Sequence, residues 1–93
     1  MDTTKFGIAW YRPEQWNRLK EISEDRDKMD QSYEEWLKSA EEMVIRFHIE
    51  GREAVRYQVD VEELLKFCNE RKLNVNGNSR SQFVTEMLLK HNY

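Results

Sequence analysis

One cysteine, one proline and three glycines are spread over 93 residues, and each scarcity closes off a class of structure. The single thiol, Cys68, cannot build an internal disulfide framework, and a lone cysteine suits a reducing compartment. Apolar runs last only a few residues, against the roughly 20 that a membrane helix needs. The N-terminus has no basic stretch followed by an apolar one, so no signal peptide is expected. Gly7, Gly51 and Gly77 are too scattered to cradle a phosphate. Positive charge is also in short supply: Lys and Arg total 15 against 18 for Asp and Glu, a formal net charge of −3. Phosphate neutralisation drives most nucleic-acid affinity, so this balance counts against nucleic acid, and against anionic membranes as well. The deficit lies in residues 1–53, which hold 9 basic and 13 acidic side chains, whereas residues 54–93 hold 6 and 5.

The remainder is a chain that folds. Hydrophobic residues make up 39% and charged residues 35%, interleaved rather than segregated, which is not the pattern of a disordered tail. The length fits one domain, residues 1–93, with one modest core and a cytoplasmic address.

Two alternating or apolar segments and four helical stripes can be placed along it. Residues 6–11, Phe-Gly-Ile-Ala-Trp-Tyr, predict a first strand, and Pro13 suits the opening turn of a helix running to about Glu24, with Trp16, Leu19 and Ile22 on its inner side. Asp25 to Gln31 is a charged connector. Ser32 and Glu35 form a capping box, followed by Tyr33, Trp36, Leu37, Ala40, Met43, Val44 and Phe47 on one face of a long helix that Gly51 stops. Ile45 and Ile49, four apart on the flank of this stripe, hint at a second contact surface. Val55, Tyr57 and Val59 alternate with Arg56 and Gln58, predicting a second strand over 54–59 with one apolar face. Asp60 caps a third helix, with Glu63 completing another capping box and Val61, Leu64, Leu65 and Cys68 inward; Arg71 and Lys72 suit its negative end. Asn76-Gly77-Asn78 reads as a turn, after which Asn78 or Ser79 caps a last helix with Phe83, Val84, Met87 and Leu88 inward.

The order β-α-α-β-α-α makes this a small α+β domain with a two-stranded sheet. Two strands alone are marginal, and each leaves an edge unpaired, so a homodimer that extends the sheet across a two-fold axis is expected.

Convergent chemistry is hard to find. His48 and His91 have no partner at a ligand-pair interval, and the expected metal and cofactor content is none. Cys68 falls on an apolar stripe, where a thiol packs as a small hydrophobe. No G-x-S-x-G elbow occurs. Asp25, Asp27 and Asp30 fail as a calcium loop, because the glycine and glutamate positions hold Asp30 and Trp36; a solvated loop is expected instead. Trp16 and Trp36 fall on inner stripes. Trp10 and Tyr11 alternate to opposite sides of the first strand, leaving at least one partly exposed as an interface marker.

Residues 54–90 carry a short alternating strand (Val55 to Val59), an acidic helix start (Asp60), a helix ending in basic residues, a Ser79-Arg80-Ser81 turn and a second helix. In this they resemble the ribbon-helix-helix family of bacterial repressors and antitoxins. The resemblance implies a two-chain antiparallel ribbon in the major groove, with Arg56 and Gln58 reading base edges and Asn78, Ser79 and Arg80 meeting phosphate. An ordinary β-α-α segment whose Arg56 and Gln58 face water reads the same residues. The whole chain also resembles a set of small uncharacterised bacterial proteins through Trp10-Tyr11-x-Pro13-Glu14-x-Trp16, Tyr33-Glu34-Glu35-Trp36 and the Phe67-Cys68 pair. That likeness implies a shared fold and no particular activity.

The function expected from these residues is that of a non-enzymatic interaction or regulatory module, meeting its partner through a sheet edge or the Trp10 and Tyr11 region. The alternative is a DNA-binding transcriptional regulator or antitoxin of the ribbon-helix-helix kind.

Overall fold

Residues 5–90, which the computed structural model describes, follow the expected order: β1 (Lys5–Trp10), α1 (Pro13–Ile22), a single 3-10 turn (Arg26–Lys28), α2 (Tyr33–Ile49), β2 (Glu53–Gln58), α3 (Val61–Glu70) and α4 (Gly77–Lys90). The domain is of the α+β class, and both strands begin one residue earlier than the alternation predicts. His91 lies outside the described residues.

Local chemistry sets the helix ends. Pro13 opens α1, where its missing N–H costs nothing. Both halves of the capping box at α2 are formed: the Glu35 N–H donates to Ser32 Oγ at 3.1 Å and the Ser32 N–H donates to Glu35 Oε1 at 3.3 Å. Gly51, at φ 78°, ends α2 in a Schellman motif, its N–H donating to the His48 carbonyl while the Arg52 N–H reaches that of Phe47. The cap of α3 is one-sided. Asp60 Oδ1 accepts from the N–H groups of both Glu62 and Glu63, at 3.0 and 3.2 Å, in place of the expected reciprocal box.

The start of α4 departs from expectation. Neither Asn78 nor Ser79 is its cap. Asn76 Oδ1 accepts from the Ser79 N–H at 3.0 Å, and Ser79 Oγ accepts from the Asn76 N–H at 2.9 Å, so Gly77 and Asn78 sit inside the first turn. Turn-forming and helix-capping asparagines use the same side-chain oxygen, and here the first asparagine of the pair takes the capping role.

The two strands are parallel, with Phe6 opposite Ala54, Ile8 opposite Arg56 and Trp10 opposite Gln58. Parallel neighbours need a crossover, which α1 and α2 supply. Facing residues share a side of the sheet. One side therefore carries Phe6, Ile8, Trp10, Ala54, Arg56 and Gln58, and α2 lies across it, Phe47 stacked on Phe6 at 5.2 Å and Trp36 edge-on to Trp10 at 5.4 Å. The other side carries Gly7, Ala9, Val55 and Tyr57 and meets α4, where Phe83 contacts Tyr57 at 6.3 Å. Helix α3 packs behind, Phe67 against Phe83 at 5.2 Å. Leu19, Val59, Val61, Leu64, Cys68, Phe83 and Val84 are the best-buried members of one core. Phe67 belongs to that core although its position lies off the predicted stripe of α3.

Candidate docking site

The direction of the backbone in β1 defines the site. Trp10 gives its carbonyl to the Val59 N–H at 2.9 Å, across the strand pair. The N–H and C=O of one strand residue point the same way and alternate along the strand. Phe6, Ile8 and Trp10 thus address β2, and Gly7 and Ala9 address the opposite side. Among the described residues the sheet has two strands, so that outer side of β1 has no strand against it.

A groove of about 450 Å³ runs along this edge. Trp36, Met43 and Phe47 of α2 form one wall, and Gly77, Arg80, Ser81 and Val84 of α4 form the other. Met43 is 44% exposed, a large apolar side chain facing an unfilled space. Helix α4 comes close because residue 7 is glycine: a Cβ there would lie 2.8 Å from Val84 Cγ1 and would collide with Leu88 Cδ1.

Past Trp10, the groove is lined by rings and by a polar clasp. Tyr11 is 4% exposed, with Trp36 and Trp16 at 5.2 and 6.4 Å, and burial pushes its hydroxyl pKa up to about 12. Its carbonyl accepts from the Tyr33 hydroxyl at 2.9 Å. Arg80 donates to Asp25 Oδ1 and Oδ2 at 2.9 and 2.8 Å and to Ser23 Oγ at 3.1 Å, and the Gly77 N–H adds a 3.2 Å bond to Asp25. The Arg80 guanidinium holds the Asp25 carboxyl below its ordinary range. Asp25 is therefore a partly buried tie between the 3-10 turn and α4, not the solvated loop residue expected from its acidic neighbours.

The residues singled out from sequence are distributed unevenly around this site. Trp10, Arg56 and Gln58 come together: the Arg56 guanidinium lies 4.4 Å over the Trp10 ring, and Gln58 Nε2 donates to the Trp10 carbonyl at 3.2 Å. Tyr11 is buried, so of the Trp10–Tyr11 pair only Trp10 is partly open. Ser79 is locked inward, its hydroxyl donating to the Asn74 carbonyl at 2.7 Å, and Arg80 is taken up by Asp25; Asn78 is exposed. His48 is exposed, and Cys68 is fully buried. Among the described residues, no three His, Cys, Asp or Glu side chains converge, and no helix is long and apolar enough to cross a membrane.

Gly7, Ala9 and Ser81 line the groove without having been singled out as contact residues, and Met43, expected on the buried stripe of α2, is 44% exposed there. The signal for Gly7 and Ala9 was present: Phe6-Gly7-Ile8-Ala9-Trp10 alternates large and small residues without a charge, which is unusual for a strand with an unpaired edge. Compared with family models, curated proteins and solved structures, the chain matches none of them.

Proposed function

We propose that this protein is a non-enzymatic interaction module whose working surface is the open edge of β1. One observation carries the reading. Unpaired backbone groups of Gly7 and Ala9 lie at the floor of a groove with an apolar wall, α2, and a mixed wall, α4, and the complement of such a floor is another extended backbone.

Chemistry at the two edges of the sheet supports this choice. β2 carries Glu53 and Arg56, charges of the kind that keep other strands away, whereas β1 carries Lys5 at its first position and no charge from Phe6 to Trp10. The same geometry favours docking over base reading by Arg56 and Gln58, because α2 lies on the face that bears them.

Selection from a displayed library of random linear peptides, on protein immobilised sparsely enough to keep copies apart, tests the proposal. Peptides are expected to bind the wild type and to lose binding in Ala9→Pro, which removes an outward N–H without touching the β1–β2 ladder. Failure to enrich any peptide, or binding indifferent to Ala9→Pro, rules the edge out.

A further inference from the structure

The groove states its requirements closely enough to name an occupant. A strand lying beside β1 has its side chains alternating between the two walls, in step with those of β1. Positions beside Phe6, Ile8 and Trp10 face α2, where half-exposed Met43 and the rings of Trp36 and Phe47 offer apolar surface. Positions beside Gly7 and Ala9 face α4, which stands so close that a Cβ at residue 7 of β1 would press on Val84 and Leu88. The occupant is therefore an uncharged strand of the pattern large-small-large-small-large.

The chain contains that strand. Phe6-Gly7-Ile8-Ala9-Trp10 has the pattern, and it reads the same in both directions about Ile8. Resting on the reading of β1 as the docking edge, we infer that the groove is filled by β1 of a second copy, antiparallel, with Ile8 on the two-fold axis. In this register the outward groups of Gly7 bond those of the partner's Ala9, and the reverse, which is the hydrogen-bonded pairing of an antiparallel ladder. Ile8 meets its own copy as a non-hydrogen-bonded pair, and Phe6 meets the partner's Trp10 on the α2 side. Other parities turn a large side chain toward α4.

Charge agrees with an uncharged occupant. The charged side chains that line the groove, Asp25, Lys28, Asp30 and Arg80, sum to zero. The pairing gives a four-stranded sheet in the order β2-β1-β1-β2, with β2 at both outer edges.

Disulfide trapping tests the register. In Ile8→Cys, Cys68→Ser, oxidised with diamide, the two thiols of a dimer lose their hydrogens to the oxidant and form one S–S bond. The Cα atoms of a non-hydrogen-bonded pair lie about 4.5 Å apart, inside the span a disulfide accepts. The expected result is rapid conversion to a covalent dimer. Ile45→Cys, Cys68→Ser is the control and is expected to remain monomeric on a denaturing gel, because residue 45 is exposed on the outer side of α2. Sedimentation of the untreated wild type is expected to give twice the chain mass, and sedimentation of Ala9→Pro the single mass. A wild-type monomer at all concentrations that still binds selected peptides overturns the second copy and leaves the docking edge standing. A dimer that survives Ala9→Pro, or cross-links through residue 45 and not residue 8, overturns the inference by placing the interface elsewhere.

Discussion

Arg80 meets Asp25 with both arms of its guanidinium across 55 residues of sequence, and the two side chains keep only 14% and 21% of their surface in water. The pair joins the turn after α1 to the first turn of α4 and so fixes one end of the groove. Hydrogen bonds to charged groups contribute about 1.5–3 kcal/mol each when partly screened from solvent. Asp25→Asn is expected to lower stability at pH 7 by about 2 kcal/mol, read from the urea midpoint at unchanged slope.

The pH dependence of that pair has a definite sign. Its folded carboxyl titrates below the unfolded one, so its contribution is complete above the unfolded value, about 4, and is lost as pH falls through the folded value. Wild-type stability should therefore drop as the solution is acidified below about pH 4, and Asp25→Asn should drop less over the same interval. Parallel acid limbs for the two proteins would remove Asp25 from the account.

Lys72 has φ 57°, the left-handed conformation that glycine takes at the end of α2. The hydrogen bonds around it are those of a Schellman motif: its N–H reaches the Asn69 carbonyl at 3.2 Å and the Leu73 N–H reaches that of Cys68 at 2.8 Å. A lysine there carries a Cβ penalty of about 1 kcal/mol that glycine avoids. Lys72→Gly should accordingly raise the thermal midpoint by a few degrees, whereas Gly51→Lys should lower it. Equal midpoints for Lys72→Gly and wild type would show that the loss of side-chain contacts cancels the backbone gain.

Most of the architecture could be read from residue spacing, because it rests on local rules. Capping residues Ser32 and Asp60, the stop at Gly51 and the alternation around Tyr57 each act within a few positions, and the structure keeps all of them. Asn76 and Gly77 misled for the same reason, since a turn and a cap draw on one side-chain oxygen. What spacing could not supply is anything set by distance along the chain. The parallel sense of the strands, the reach of Arg80 to Asp25 and the approach of α4 to Gly7 join segments separated by dozens of residues. The groove belongs to that second group. Its floor is β1, but its walls come from helices that begin at residues 33 and 77.

Cys68 is fully buried on the inner face of α3, so the thiol reports on opening of the core. Its reaction with an aromatic disulfide reagent should be slow in the native protein and immediate in urea, with a native rate that tracks global unfolding. Leu64→Ala, which empties a completely buried site one turn away, should cost about 2–5 kcal/mol and accelerate the reaction in proportion. Prompt labelling of the native wild type would mean that α3 opens independently of the rest.

The contact of α4 with the sheet can be probed at a single hydrogen atom. Replacing it with a methyl group in Gly7→Ala puts a carbon 2.8 Å from Val84 Cγ1 and nearer still to Leu88 Cδ1, so α4 must shift or its side chains must leave their rotamers. Overpacking of this kind costs about 1–3 kcal/mol. Because the obstruction is a side chain, shortening it should return part of the loss. Leu88→Ala is destabilising by itself, yet the double variant should be more stable than the sum of the two single losses by about 0.5 kcal/mol or more, the coupling that residues in contact show. Strict additivity would mean that the two positions do not touch. The same variant bears on the groove, since a displaced α4 moves Ser81 and Val84 away from β1 and widens the wall against which an added strand would pack.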